Sequence, residues 1–595
     1  MILVFGGTTE GRRAVQVLEE AGKPFWYSTR GSGQDVELVH GIRVTGGMNS
    51  DEMAAFCRKN AISLIVDAAH PFATQLHHHI MTMAQHEHLP VIRYERQYEP
   101  HHDDICWCKD YGDAITQLKA KDIHRLLALT GVQTIGRLRD YWKDNECWFR
   151  ILDRDPSRDI AVREGFPMDH LVYYEHEDTT SLITRLRPQA ILTKESGTTG
   201  GFPEKIEAAS QTGTPVFVVE RPLFPWQHVV DGPHGLRLKI QELLPDFFEL
   251  HTGLTTGTCA TAATVAAFTK QLTVSVRIPD GEHIEVQIDR FDGDTATVIK
   301  HAGDDPDLTD GLEIQATVKL TDSAQKVVIQ GGEGVGRVTL PGLGLPIGAP
   351  AINEVPQRMI RDNLLPLLPE GIGADVIISV PQGRQVGART FNPRIGVQGG
   401  ISIIGTSGIV KPFSLEARIS SIRKEMAVGL EVVRGKRREE GGVTDVPEIV
   451  INSGAKSESF LHHRFPELPL QAFVHYGNYI GETIRIASEL GVKHLVMGLM
   501  IGKAVKLAEG NLDTHSHQVT MNRSFIQQMA VEVGLDIAGL STMNMARELW
   551  TLYTEQEMEL LGQVIIRYCH KHCDGLLPNG TLEIFLISEN GKIIS

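Results

Sequence analysis

The chain has 595 residues, 42% of them hydrophobic and 22% charged, an ordinary globular composition in a chain too long for one core. Its formal net charge of −16 argues against nucleic acid, whose phosphates need a basic face, but leaves room for a polycarboxylate held by a few local cations. Seven scattered cysteines make no disulfide framework, no run approaches the ~18 apolar residues of a membrane span, and the first residues lack the basic region of a signal peptide, so a cytoplasmic protein is expected.

In the first half, apolar runs at 2–5, 25–27, 64–66 and 91–92 alternate with helical patterns at 10–21, 51–59 and 73–85. A second series of runs follows at 125–129, 147–151, 190–192 and 216–219. Such alternation marks βαβ units in parallel sheets, and it predicts two Rossmann-like lobes within residues 1–247, divided near 96–112. The first strand runs into Gly6-Gly7-Thr8-Thr9-Glu10-Gly11 and a helix, where a dinucleotide pyrophosphate is expected. Gly6 and Gly11 fill the outer places of the glycine fingerprint, and Thr8 stands where its middle glycine belongs. Arg30, at the end of the second strand, suits a 2′-phosphate and so favours NADPH over NADH. Three more strand ends are rich in polar and small residues: 67–73 with His70, 129–131 with Thr130, and 192–201 with Lys194 and Ser196. By the carboxyl-end rule these loops share one crevice.

Pro233, Gly235, Pro245 and Gly253 punctuate the boundary before a second protein at 250–595. It opens on Thr255-Thr256-Gly257-Thr258-Cys259-Ala260, a hydroxyl-rich loop feeding an Ala-rich helix whose N-terminus would present N–H groups to an anion. Strand patterns at 273–278, 283–286, 295–299, 312–318 and 327–329 predict an antiparallel meander, an α+β lobe over about 250–370. Asp304, Asp305 and Asp307 follow its third strand. Three carboxylates in four residues suit a divalent cation, a general base or a solvated turn. From 371 to 595 strands and helices alternate again, predicting an α/β lobe with strands at 375–380, 401–404, 449–451, 472–475 and 494–496. Its strand-end loops carry Gly405-Thr406-Ser407-Gly408, then Asn478 and Gly481, then Gly502 and Lys503, with Lys506 one turn further. Cys569 and Cys573 have i,i+4 spacing, but no second ligand pair lies nearby, so no metal site is expected.

The segments T-T-G-T-C-A at 255–260, A-G-D-D-P-D at 302–307 and G-G-E-G-V-G-R-V-T at 331–339 resemble the cobalt-precorrin-5B C1-methyltransferase family. His70-Pro71-Phe72-Ala73, Thr130-Gly131, Lys194-Glu195-Ser196-Gly197 and Glu220-Arg221-Pro222 resemble the cobalt-precorrin-6A reductase family. The chain thus looks like a fusion of two consecutive corrin-ring enzymes. The resemblance implies S-adenosylmethionine-dependent methylation of cobalt-precorrin-5B at carbon 1, then NADPH- or NADH-dependent reduction of the product to cobalt-precorrin-6B. It implies nicotinamide or corrin contacts at Gly7, Thr8, Arg30, Thr130, Lys194 and Ser196, and catalytic roles for His70, Asp304, Asp305 and Asp307. S-adenosylmethionine is expected at Gly405, Thr406, Ser407, Gly408, Asn478, Gly481, Gly502 and Lys503, and the corrin substrate at Thr255, Thr256, Gly257, Thr258 and Lys506. Two other readings are a fusion acting on metal-free precorrins and a corrinoid-binding protein with one active half. The sequence leaves the oligomeric state open.

Overall fold

The computed structural model describes residues 1–31, 36–322, 326–440, 446–515 and 519–595. The chain divides into two compact units, Met1–His251 with Asp280–Glu285, and Thr252–Pro279 with Val286–Ser595.

The first unit holds two six-stranded sheets. Strands such as Ile2–Phe5, Leu64–Asp67 and Val216–Val219 are apolar almost throughout and buried on both faces, as parallel sheets covered by helices require. One sheet orders His228–Val230, Val91–Tyr94, Leu64–Asp67, Ile2–Phe5, Phe25–Thr29 and Gly41–Thr45, all parallel. The other orders Cys106–Cys108, Val216–Val219, Ala190–Lys194, Arg125–Ala128, Glu146–Ile151 and Leu171–Tyr173, also parallel. The lobes are not separated by a single cut near 96–112. His228–Val230 returns to Val91–Tyr94, and helix Pro233–Leu243 sends Leu236 and Ile240 into the first lobe's core. A three-residue strand carries too little periodicity to be read from sequence.

The second unit begins with helix Thr256–Thr269, buried from Thr256 to Ala267. A helix apolar all round belongs inside a core, and this one packs on the sheet strands Thr295–Ile299 and Glu313–Thr321. That sheet orders Arg290–Asp292, Thr295–Ile299, Glu313–Thr321, Gly373–Ser379 and Val327–Gly331. It departs from the expected meander, because Gly373–Ser379 inserts between its neighbours, antiparallel to one and parallel to the other. The α+β sheet therefore extends past residue 371. Ile401 and Ile403 form only isolated bridges, where a strand was expected. The second sheet orders Phe473–His475, Ile449–Asn452, His494–Met500, Thr581–Ile587 and Ile593–Ile594, the first four parallel and the last antiparallel. Helix Glu555–Cys573 covers it and buries both Cys569 and Cys573 completely in the core.

Candidate active sites

In the first unit, strand Ile2–Phe5 turns through Gly6 and Gly7 into helix Thr9–Glu19. A Cβ on Gly6 would lie 2.3 Å from the Tyr27 ring, and one on Gly11 2.8 Å from the Gly6 Cα, so close packing demands glycine at both. Gly7 has φ +95° and no atom within 4 Å of the place a Cβ would take, so space is open beside its Cα, while its N–H donates to the Tyr27 hydroxyl at 3.1 Å. Thr8 caps the helix instead of imitating a glycine. Its Oγ1 accepts from the Gly11 N–H at 3.0 Å and donates to the Ala68 carbonyl at 2.6 Å. Arg30 is exposed just past strand Phe25–Thr29.

Beside this turn lies a buried charge network. Glu10, 3% exposed, pairs with Arg96 at 3.1 Å and accepts from Thr199 Oγ1 at 2.5 Å. Arg96 also donates to the Ser196 carbonyl at 2.7 Å, tying the first lobe to the Lys194–Thr199 loop of the second. Burial raises the Glu10 carboxyl, but Arg96 and Thr199 outweigh it and hold it below the usual range. Asp67 binds His77 Nδ1 at 2.6 Å and Arg93 at 3.1 Å, and Arg93 continues to Glu95 at 3.2 Å.

His70, Phe72 and Lys194 lie together where the two lobes share a core. His70 Nδ1 accepts from the Phe72 N–H at 3.1 Å, and Lys194 Nζ stands 5.3 Å from the Phe72 ring centre. Burial, then Lys194 and Arg96, push the His70 pKa down to about 3, which keeps the imidazole neutral. Burial, then Lys205, Arg137 and Arg96, push Lys194 down to about 8. Thr130 is buried with its hydroxyl on Thr134 at 2.6 Å, and Ser196 Oγ donates to the Gly200 carbonyl at 3.0 Å.

The hydroxyl-rich loop of the second unit is bonded to protein at nearly every group. Thr255 N–H donates to the Gly408 carbonyl at 3.1 Å, Gly257 N–H to the Ile404 carbonyl at 2.9 Å, and Thr258 Oγ1 to the Gly408 carbonyl at 2.6 Å. Thr256 Oγ1 accepts from the Ile404 N–H at 2.8 Å. Gly405 fits because a Cβ there would lie 2.3 Å from Thr255 Oγ1. Thr406 and Ser407 are exposed at the tip of this loop.

Asp304, Asp305 and Asp307 do not pool their charges. Asp307 Oδ2 pairs at 2.8 Å with Nζ of Lys300, which is 1% exposed, while Oδ1 accepts from the Thr309 N–H and Oγ1. Burial raises the Asp307 carboxyl, yet Lys300 outweighs it and holds the group below its usual range. Asp305 accepts from the Phe413 N–H at 3.1 Å, and Asp304 is exposed.

In the α/β lobe the strand order reverses between Ile449–Asn452 and His494–Met500, the point at which open sheets bind ligands. Gly454 and Gly502 follow those strands, and neither has an atom within 4 Å of an added Cβ. A cavity of about 1540 Å³ is lined there by Asn478, Gly502, Lys503 and Lys506, and also by Arg523 and Arg547, which no sequence pattern singled out. Lys503 donates to the Gly477 carbonyl and to Asn478 Oδ1, and burial, then Lys506, push it down to about 8. Gly481 does not line the cavity and is closely packed, since a Cβ there would meet Leu512 at 2.8 Å. Elsewhere in this lobe Glu458 binds His475 at 2.6 Å and both guanidinium nitrogens of Arg394. Burial opposes ionisation of Glu458, but His475 and Arg394 bring it down to about 2.

Among the described residues His234, Asp280 and Glu282 gather ligand-type atoms within 4.8 Å of one another, but Glu282 is already bonded to the His234 and Gly235 N–H groups that open helix Pro233–Leu243.

A family model described as precorrin-6x reductase CbiJ/CobK matches residues 1–237, one described as CbiD matches 245–412, and one for the CbiD C-terminal domain matches 513–595. The chain is 40% identical over 366 residues to the cobalt-precorrin-5B C(1)-methyltransferase of Prosthecochloris aestuarii, covering 58% of this chain and 96% of that protein. It is 33% identical over 365 residues to the same enzyme of Leptospira borgpetersenii, covering 58% and 95%. Among solved structures, the CobK precorrin-6A reductase covers 41% of this chain and 97% of its own at 21% identity and TM-score 0.35. The cobalamin biosynthesis protein cbiD of Archaeoglobus fulgidus covers 48% and 85% at 25% identity and TM-score 0.24.

Proposed function

We propose, for a chain that belongs to the cobalt-precorrin-5B C(1)-methyltransferase family and fuses it to a precorrin-6x reductase of cobalamin biosynthesis, that both halves act in sequence in the cytoplasm. The second unit methylates cobalt-precorrin-5B at carbon 1 with S-adenosylmethionine. The first reduces the resulting cobalt-precorrin-6A with NADPH.

For the reductase, the reading is supported by the open space beside the Gly7 Cα, set between packing glycines at Gly6 and Gly11 on a strand-to-helix turn. Those residues would hold the pyrophosphate of NADPH, with Arg30 at the 2′-phosphate, and the dinucleotide supplies hydride. For the methyltransferase, the supporting observation is the cavity at the strand-order switch. Its volume exceeds the ~300–1,000 Å³ of ordinary small-molecule sites, and Lys503, Lys506, Arg523 and Arg547 suit the carboxylates of a tetrapyrrole. Asn478, Gly502 and Lys503 would hold S-adenosylmethionine, which supplies the methyl group. Asp304 and Asp305 are assigned to proton removal on the family resemblance, and Asp307 to holding Lys300.

The test is mass spectrometry of the purified chain with cobalt-precorrin-5B and S-adenosylmethionine. One methyl group is expected without NADPH, and two further hydrogens with it. If supplied cobalt-precorrin-6A is reduced while no methyl ever appears, the methyl-transfer assignment falls.

A further inference from the structure

Adding hydride across a ring double bond leaves the neighbouring carbon in need of a proton. In the first unit, Lys194 is an acid whose charge is answered by no carboxylate among the described residues. It ends strand Ala190–Lys194, on the face whose Ala190 and Leu192 share a core with Phe72 of the other lobe. Its Nζ is 5.3 Å from the Phe72 ring centre, and that ring is 6.0 Å from the ring of His70.

The groups that act on Lys194 are cationic or neutral: His70 after strand Leu64–Asp67, Arg96 after Val91–Tyr94, Arg137 in the turn Gly136–Leu138, and Lys205 in helix Phe202–Thr212. The nearby acids are committed elsewhere, Glu10 to Arg96, Glu195 to Arg221 and His101, and Asp67 to His77 and Arg93. The two arginines do not give up protons near neutrality. His70 has none to spare, since its imidazole is already neutral.

We propose that Lys194 is the proton donor of the first unit, an inference that rests on the reductase reading above. Hydride from the reduced nicotinamide brings two electrons and a hydrogen to one carbon of the ring double bond. The Nζ–H bond of Lys194 breaks, and its proton forms the C–H bond at the other carbon. The nicotinamide ends oxidised, and Lys194 ends as a neutral amine that regains its proton from water. Loss of that proton also relieves repulsion from Lys205, Arg137 and Arg96, which makes the ammonium a stronger acid than a solvated lysine. Burial and those cations place it at about 8, close to the pH at which it must work.

The test pairs single-turnover reduction of cobalt-precorrin-6A by the full chain with a readout that needs no ligand. Competitive acetic anhydride labelling of the unliganded protein, followed by peptide mass spectrometry, is expected to place the Lys194 midpoint near pH 8, against ~10.4 for exposed lysines. K205Q is expected to move that midpoint upward. K194R keeps the charge but holds its proton, and should slow reduction by about 100-fold or more with NADPH binding retained. K194A should regain part of its rate with added methylamine, which a merely structural lysine would not permit. Labelling of Lys194 like a surface lysine, or wild-type reduction by K194R, overturns the proposal. A wild-type chain that binds NADPH yet leaves cobalt-precorrin-6A untouched overturns the reductase reading instead.

Discussion

Lys194 and Lys300 each stand at the end of a strand, one in each unit, and their surroundings are opposite. Lys300 is the more deeply buried, but its ammonium meets the Asp307 carboxylate at 2.8 Å and the pair is closed by Thr309. Lys194 has an aromatic ring, a neutral imidazole and three other cations around it. A buried charge with its partner in place is part of the framework, because the pair's mutual attraction offsets its desolvation. A charge held without one costs stability and persists where an incoming ligand or a reaction uses it. The same contrast separates the two glycine-bearing helix starts. Beside the Gly7 Cα there is room for a ligand, although its N–H already donates to the Tyr27 hydroxyl at 3.1 Å, whereas the 255–258 turn is bonded into the 404–408 loop. A strand-to-helix turn takes a ligand only where the fold leaves space against it.

The comparison is broken most forcefully by removing one member of a completed pair. E10Q leaves Arg96 buried beside a neutral amide, and is expected to cost about 3–5 kcal/mol of the first unit's stability in urea unfolding. D307N strands Lys300 in the same way, but Asp307 is itself 27% exposed, so roughly 3 kcal/mol is expected in the second unit. A D307N variant of unchanged stability would mean that Lys300 is satisfied without its acid. A gentler perturbation is acid. The folded Glu458 pKa lies at about 2, below the 4.5 of the free group, so its contribution is complete above that value and is lost as pH falls toward 2. E458Q should therefore flatten the stability profile of the second unit between those limits, and calorimetry across that range checks it.

Much of the frame was legible because apolar runs such as 2–5, 64–66 and 216–219 are long enough, and flanked clearly enough, to state their period. The glycine turn at 6–11 was legible for the same local reason. What escaped depended on partners distant in sequence. His228–Val230 is a strand only because Val91–Tyr94 offers it an edge, and Gly373–Ser379 joins the earlier sheet only because Val327–Gly331 leaves a place beside Glu313–Thr321. His77, which no motif marks, is 1% exposed against Asp67 ten residues earlier. Arg96 lies 86 residues from Glu10 and 100 from Ser196. Spacing within a motif lists the chemical groups present but does not say which of them the fold will neutralise. The acidic run at 304–307 therefore gave its site residues no ranking, and Lys194 was legible as a strand-end contact but not as a cation set among other cations.

The smallest expected effect is also the one that distinguishes the two lysines in sign. With a folded pKa of about 8 and an unfolded value near 10.4, Lys194 binds fewer protons in the folded than in the unfolded chain between those pH values. Stability therefore rises with pH across that window, and below pH 8 the folded protein carries the full cost of a charge it holds unwillingly. K194M removes that cost while keeping an unbranched chain of similar reach beside Phe72. It should stabilise the first unit at pH 7 by on the order of 1 kcal/mol, and the difference from wild type should vanish toward pH 10.4. The matching change K300M should do the reverse, because it leaves Asp307 without its cation and nothing is relieved. A K194M protein destabilised at pH 7, with a difference from wild type that ignores pH, would show that Lys194 has a partner after all and would place both lysines in the same class.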